Sequence, residues 1–151
     1  MMNLPSNARV WVYQSDRKLT SSEKVFIKDA SLQFVKEWAA HGASLQSDAT
    51  IVGDYFLILA VNEQIANASG CSIDSSVKFV KSIGKELKID FFNRLKLVVS
   101  KGDETKQIAF SELVDYKDWC VYNTLVDSIL ELNNSFSQNV TESDYYKMLT
   151  D

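Results

Sequence analysis

The chain has 151 residues, a length typical of one domain and sufficient to bury a sizeable hydrophobic core. Its 46% hydrophobic and 24% charged residues are ordinary for a soluble globular protein. The net charge of −4 and the isoelectric point near 5.0 argue against nucleic acid or an anionic membrane surface as the main partner. The longest apolar run, residues 55–61, is far too short to span a membrane.

The few cysteines and the single histidine restrict the chemistry. Cys71 and Cys120 lie far apart and form no Cys-x-x-Cys pair. Residues 1–9 lack the basic and apolar regions of a secretory signal, so we expect a cytoplasmic protein with reduced thiols. His41 is the only histidine, which excludes a multi-histidine metal site within one chain. We therefore expect no metal and no other cofactor.

The first predicted elements are a strand and a helix. Residues 9–14 are β-branched and aromatic, which favours a strand. Thr20 followed by Glu23 is a capping box that predicts the start of a helix. Apolar residues then recur at helical spacing as far as Trp38, and Gly42 is the predicted stop.

The middle of the chain predicts a hairpin and a second helix. Residues 44–52 and 55–62 read as strands joined by Gly53-Asp54. Because residues 55–61 are apolar at every position, we expect a central strand that is covered on both faces. After a loop in which Gly70 is expected to supply a positive φ, a helix is predicted from about Ser72 to Leu87.

The C-terminal third predicts a second hairpin, from residues 95–100 and 106–110. An apolar stripe at helical spacing from Trp119 to Leu130 predicts a further helix. Residues 137–151 are polar and acidic, and we expect them to form a tail that frays. These features predict one domain over residues 1–136, followed by that tail.

The order of the predicted elements is strand, helix, strand, strand, helix, strand, strand, helix. It predicts an α+β fold whose first six elements match the ferredoxin-like split βαβ arrangement, with an antiparallel or mixed sheet. The extra strand and the C-terminal helical segments must then cover the other face of the sheet or extend its edge. In this arrangement the first helix would end at the sheet edge where the second helix begins.

That shared edge is the candidate site. Cys71 lies at the start of the second helix, where the helix dipole favours a thiolate and binds anions. Our first hypothesis is a thiol-dependent or small-anion site, in which His41 takes the thiol proton and Cys71 attacks. The candidate ligand-binding residues are Arg9, Ser69, Gly70, Ser72 and Asp74.

A structural interpretation of the same residues is simpler. Cys71 among small residues is typical of a small buried hydrophobe, and His41 could bond the last carbonyls of its own helix. The alternative function is a non-catalytic homo-oligomeric or adaptor domain. The stripe at 119–130 would cover the open sheet face either within the chain or, in a homodimer, across a two-fold axis.

Four stretches resemble a family of small, uncharacterised bacterial proteins. The stretches are residues 9–15, 38–42 (Trp-x-x-His-Gly), 58–62 and 68–76 (Ala-Ser-Gly-Cys-Ser-Ile-Asp). The resemblance implies no catalytic roles, but it places residues 41–42 and 69–74 among the most recognisable positions of the family.

Members of that family are often labelled automatically as ABC transporter ATPases, and the residues of this chain do not support such an activity. A P-loop requires Gly-x-x-x-x-Gly-Lys-Ser/Thr. The nearest stretch is Gly84-Lys85, where Phe79 replaces the first glycine and Glu86 replaces the hydroxyl residue. The stretch also falls inside a predicted helix, whereas a P-loop joins a strand to a helix.

Overall fold

The computed structural model describes residues 2–40, 42–64 and 66–151, which form an α+β fold with antiparallel sheets. The strands are β1 (Arg9–Gln14), β2 (Ala39–Ala40), β3 (Ala43–Ser44), β4 (Gln46–Val52), β5 (Phe56–Asn62), β6 (Lys96–Lys101), β7 (Glu104–Ala109), β8 (Cys120–Tyr122) and β9 (Ser137–Asn139). The α-helices are α1 (Ser21–Glu37), α2 (Gly70–Leu87), α3 (Ile129–Ser135) and α4 (Asp144–Thr150), and 3-10 helices span Phe110–Asp115 and Val140–Glu142. None of the described helices is both long and apolar enough to cross a membrane.

The first sheet has the strand order β1-β5-β4, with all pairs antiparallel. Every residue of β5 is buried, so the prediction of a central strand covered on both faces is confirmed. Its odd-numbered side chains join one hydrophobic core and its even-numbered side chains join another, because successive side chains of a strand point to opposite faces.

The two long helices cover the odd face of this sheet. Ile27 and Val35 of α1 and Val80 and Ile83 of α2 pack in the same core as Leu57 of β5. The predicted capping box at Thr20 is present. The prediction that the first helix stops at Gly42 is wrong, because the helix already ends at Glu37 and the chain turns into a short hairpin. The positive φ of Gly42, 79°, is used between β2 and β3.

The C-terminal part of the chain covers the even face, which is one of the two arrangements that the sequence left open. Val98 of β6, Val126, Ile129 of α3 and Phe136 pack against Val10 and the even-numbered side chains of β5. Of the two alternatives for covering this face, within the chain or across a two-fold axis, the structure shows the first.

The second sheet has the order β7-β6-β8-β9. A ferredoxin-like fold places its third strand between its first and second strands. Apart from the two-residue strands β2 and β3, the first three strands of this chain are β1, β4 and β5, and they have that order. The fourth strand, β6, would lie beside β1 in that fold, but here β7 and β8 pair with its two edges. The α+β class with antiparallel sheets is thus confirmed, and the ferredoxin-like arrangement is not.

Two predictions for the C-terminal third are wrong. The stripe from Trp119 to Leu130 is not one helix: residues 120–122 form β8, in which Val121 lies opposite Val99 of β6. Pairing with an available strand outweighed the helical spacing of the apolar residues. Residues 137–151 are not a frayed tail, since they form β9 and α4 and bury Val140 and Ser143 completely.

Candidate functional site

The start of α2 is closed by a reciprocal pair of hydrogen bonds. The backbone N–H of Ser72 donates to Ser69 Oγ at 3.1 Å, and the backbone N–H of Ser69 donates to Ser72 Oγ at 2.6 Å. These serines, which were expected to bind a ligand, thus cap the helix. Cys71 lies between them in the first turn, and its thiol is exposed to solvent rather than packed in the core.

The end of α1 and the start of α2 meet, as the predicted topology requires. Trp38 Nε1 donates a buried hydrogen bond of 2.8 Å to the carbonyl oxygen of Ser72. His41, the predicted proton acceptor, lies outside the described residues.

Arg9 lies near the same loop and faces a carboxylate that the sequence did not single out. Its Nη1 is 4.0 Å from Glu63 Oε1, and its guanidinium is centred 4.8 Å from the ring of Trp11. Glu63 Oε2 accepts the backbone N–H of Ala68 at 2.9 Å, just before the helix begins. The chain therefore supplies its own negative charge next to Arg9.

The remaining predicted ligand residues show no special geometry. Gly70 does not have a positive φ, so that prediction is wrong, and no described atom lies within 4 Å of where its Cβ would stand. Asp74 is exposed, and no ion pair to it occurs among the described residues. In those parts of the chain no three His, Cys, Asp or Glu side chains are close enough to hold a metal ion.

A larger feature is an apolar groove of about 500 Å³ beside β1. It is bordered by the start of α2, by residues 91–94, 96 and 97 before and within β6, and by α4. Large apolar side chains line it, and several of them face solvent: Leu125 is 74% exposed, Met148 70% and Phe92 36%. We refer to this feature as the β1 groove.

One wall of the β1 groove is the outer edge of β1. Near one end of the strand, the backbone N–H of Val10 donates to the carbonyl of Asp127 at 2.9 Å. Near the other end, Gln14 Nε2 donates to the carbonyl of Lys96 at 3.1 Å. Alternation along the strand directs the N–H and C=O of Val12 to this same edge. Within the described residues, nothing forms a hydrogen bond with either group.

A buried polar atom also lies at this wall without a partner. Gln14 is only 8% exposed, and its Oε1 forms no hydrogen bond in the part of the chain that the structure describes. Buried side-chain oxygens in proteins usually have a donor, so this atom is unusual.

The charge along the β1 groove is positive although the protein as a whole is acidic. Arg94 and Lys96 are lining residues, and no carboxylate is among the described residues that line the groove. The nearby carboxylates of Asp16 and Asp90 instead accept backbone N–H groups, of Asp90 and Phe92 respectively. The sequence did not indicate the β1 groove, because its walls come from segments far apart in the chain.

Comparison with family models, with curated proteins and with solved structures found no match. The resemblance to the bacterial family therefore stays a prediction. The functional interpretation therefore depends on the fold and on the geometry of two regions, the start of α2 and the β1 groove.

Proposed function

We propose that this protein is a non-catalytic adaptor domain whose β1 groove binds an apolar, negatively charged peptide segment of a partner protein. The observation that carries this proposal is the groove itself, which exposes large apolar side chains along a channel of about 500 Å³. That volume is within the range of established ligand sites.

Burial and charge support this choice of ligand. Covering apolar surface releases about 25 cal/mol per Å², so side chains as exposed as Leu125 and Met148 favour an apolar partner. Arg94 is exposed and has no ion pair among the described residues, so a carboxylate on the ligand would find a cation at the groove.

The fold interpretation supports the same groove. We propose that β1, α1, β4, β5, α2 and β6 are a ferredoxin-like arrangement in which the fourth strand has turned away from β1. One bond still joins β6 to the last residue of β1, from Gln14 Nε2 to the carbonyl of Lys96, and a second joins Lys96 Nζ to the carbonyl of Asp16, just after β1 ends. The β1 groove would then be the gap left beside β1.

The test uses a phage-displayed library of random peptides selected on the protein. A fluorescein-labelled synthetic peptide of the enriched sequence is then titrated by anisotropy. Leu125→Glu should weaken binding at least about tenfold, because it places a charge where apolar surface is buried.

Leu95→Glu is the matched control. Leu95 is 75% exposed, as Leu125 is, but it does not line the groove, so binding should change less than about twofold. Arg94→Glu should also weaken binding of an acidic peptide. Failure to enrich any peptide, or equal effects of the two leucine variants, would show that the groove is not a peptide site.

A thiol-dependent or anion site at Cys71 is the second candidate, and the exposure of its thiol favours it over a packing role. Alkylation by iodoacetamide, followed by mass spectrometry, should modify Cys71 faster than the half-buried Cys120. Exposure alone could produce that difference, so His41→Ala is the decisive variant. It should slow labelling of Cys71 if His41 takes the thiol proton; equal, slow labelling of both cysteines would overturn the site.

A further inference from the structure

We infer that the partner segment binds in extended conformation and adds as a strand to the outer edge of β1. This inference rests on the proposed function, because it assigns the geometry by which the β1 groove holds its peptide. An exposed edge offers backbone donors and acceptors, and strand addition is an established way for a domain to bind a peptide.

The free part of the edge is short and defined at both ends. The backbone hydrogen bond from Val10 to Asp127 ends it on one side, and on the other side the side chain of Gln14, whose Nε2 donates to the carbonyl of Lys96, holds β6 against the strand. Residues 10–14 extend over about 13 Å at 3.3 Å per residue. Since both ends of this stretch are already occupied, about three ligand residues would pair there, opposite residues 11–13 with Val12 at the centre.

The unpartnered oxygen of Gln14 is a second, independent indication of a ligand. Gln14 is more than nine-tenths buried, lies on β1 itself and lines the groove, yet its Oε1 has no donor among the described residues. A backbone N–H of an added strand would enter beside this amide. A donor from that strand to Oε1 would remove the cost of leaving this oxygen buried without a partner, while Nε2 keeps its bond to the carbonyl of Lys96.

The two walls beside the edge indicate which side chains the peptide carries. Trp11 and Tyr13 point to the face of the sheet that α2 covers, and Ile73 and Val77 of α2 line the groove there. Val10 points to the opposite face, where Val126 adjoins Leu125. Since side chains alternate along a strand, apolar residues two apart would meet each wall.

The charge fits an acidic residue in such a peptide. Arg94 and Lys96 line the groove near the Gln14 end, whereas no carboxylate does so in the described chain. The partner is thus a short extended segment of apolar residues with an aspartate or glutamate, or a free carboxyl terminus, placed near Arg94.

Val12→Pro tests the hydrogen bond directly. Proline lacks the N–H that a bound strand would need. It is tolerated on an edge strand when that N–H makes no internal bond, as is the case for Val12 within the described structure. We expect the variant to lower affinity for the selected peptide at least about tenfold. Val12→Thr keeps the N–H and a similar shape, so it should retain affinity to within about threefold.

Hydrogen exchange of the wild-type protein gives a measurement that does not depend on how well the proline variant folds. The amide of Val12 should exchange quickly in the free protein and become protected when the peptide is bound. A peptide whose binding requires Leu125, but which leaves Val12 exchange unchanged, would overturn strand addition while leaving the proposed function in place. A library that yields no groove-dependent peptide would overturn both.

Discussion

At the scale of single residues, the structure explains positions whose purpose the sequence could not show. In the sequence, Gly84 is a glycine inside a predicted helix, where glycine is a poor helix former. In the structure a Cβ at this position would lie 2.4 Å from the carbonyl oxygen of Ile89, because the chain folds back over the end of α2. Lys88 makes this possible by adopting a left-handed conformation, with φ of 59°.

Gly84→Ala should therefore destabilise the protein, although alanine is the better helix former. The clash is with backbone, which cannot move aside as a flexible side chain would, so we expect a loss of about 1–3 kcal/mol in the free energy of unfolding. Urea denaturation followed by circular dichroism measures it. Gly70→Ala, in the first turn of the same helix with open space around it, should be neutral or slightly stabilising. Equal behaviour of the two variants would contradict the close approach at Gly84.

Single residues also show how the two candidate regions differ, namely in whether their polar groups already have hydrogen-bond partners. Ser69 and Ser72 cap each other's backbone, and Glu63 accepts the N–H of Ala68, so these groups near the start of α2 already have partners. The edge of β1 has the opposite character, since within the described chain the N–H and C=O of Val12 and the side-chain oxygen of Gln14 have no hydrogen-bond partner. A ligand gains the most free energy by bonding to unsatisfied groups, so the β1 groove is the stronger candidate of the two.

At the scale of elements, the capping box at the start of α1 is stabilised by a side chain outside the helix. The carboxylate of Glu23 accepts hydrogen bonds from Arg17 at 2.9 and 2.6 Å and from the backbone N–H of Thr20 at 2.9 Å. Arg17 also donates to the carbonyl of Leu87 at 2.8 Å, so the start of α1 is connected to the end of α2. The Arg17 guanidinium, and then the Thr20 amide, lower the pKa of Glu23 from 4.5 to about 2.

This lowered pKa predicts a pH dependence of stability. Because the pKa of Glu23 is lower in the folded state, its contribution is present above about pH 4.5 and is lost as the pH falls towards 2. Glu23→Gln should lower the free energy of unfolding by about 1 kcal/mol at pH 7, since partial exposure of Arg17 screens the pair. The difference from wild type should disappear near pH 2 in urea denaturation series.

Glu37→Gln is the control for this experiment, because Glu37 is exposed at the other end of the same helix and has no ion pair in the described chain. It should leave stability unchanged or raise it slightly, since a negative charge near a helix C-terminus is unfavourable. A Glu23 effect that persists at pH 2 would mean that the ionised carboxylate is not what stabilises α1.

At the scale of the whole molecule, the functional interpretation depends on how two sheets meet. The first sheet pairs β1 on one side only, while β6 is paired on both sides in the second sheet. The even face of β5 is covered by Val126, Ile129 and Phe136, so the molecule completes its own core without a second copy. What it leaves open is the β1 groove, and the variants at Leu125 and Val12 test that consequence of the packing.

Local patterns were sufficient for the elements that depend on neighbours in sequence. The sequence by itself determined β1, the capped start of α1, the β4–β5 hairpin, the buried β5 and the body of α2. Turn residues, caps and the period of apolar side chains are properties of contiguous segments, and they survive in the folded state. The meeting of Trp38 with the start of α2 also followed from the predicted order of elements.

Only the tertiary structure decided the rest. It paired β6 with β7 and β8, turned a stripe that looked helical into β8, and recruited the last residues as β9 and α4. It also created the β1 groove, whose walls come from β1, α2, β6 and α4. The physical reason is that distant segments of the chain compete to pair with the same strand. Which segment wins determines which strand edge stays unpaired and where a cavity remains between segments. No local pattern of residues records the outcome of that competition.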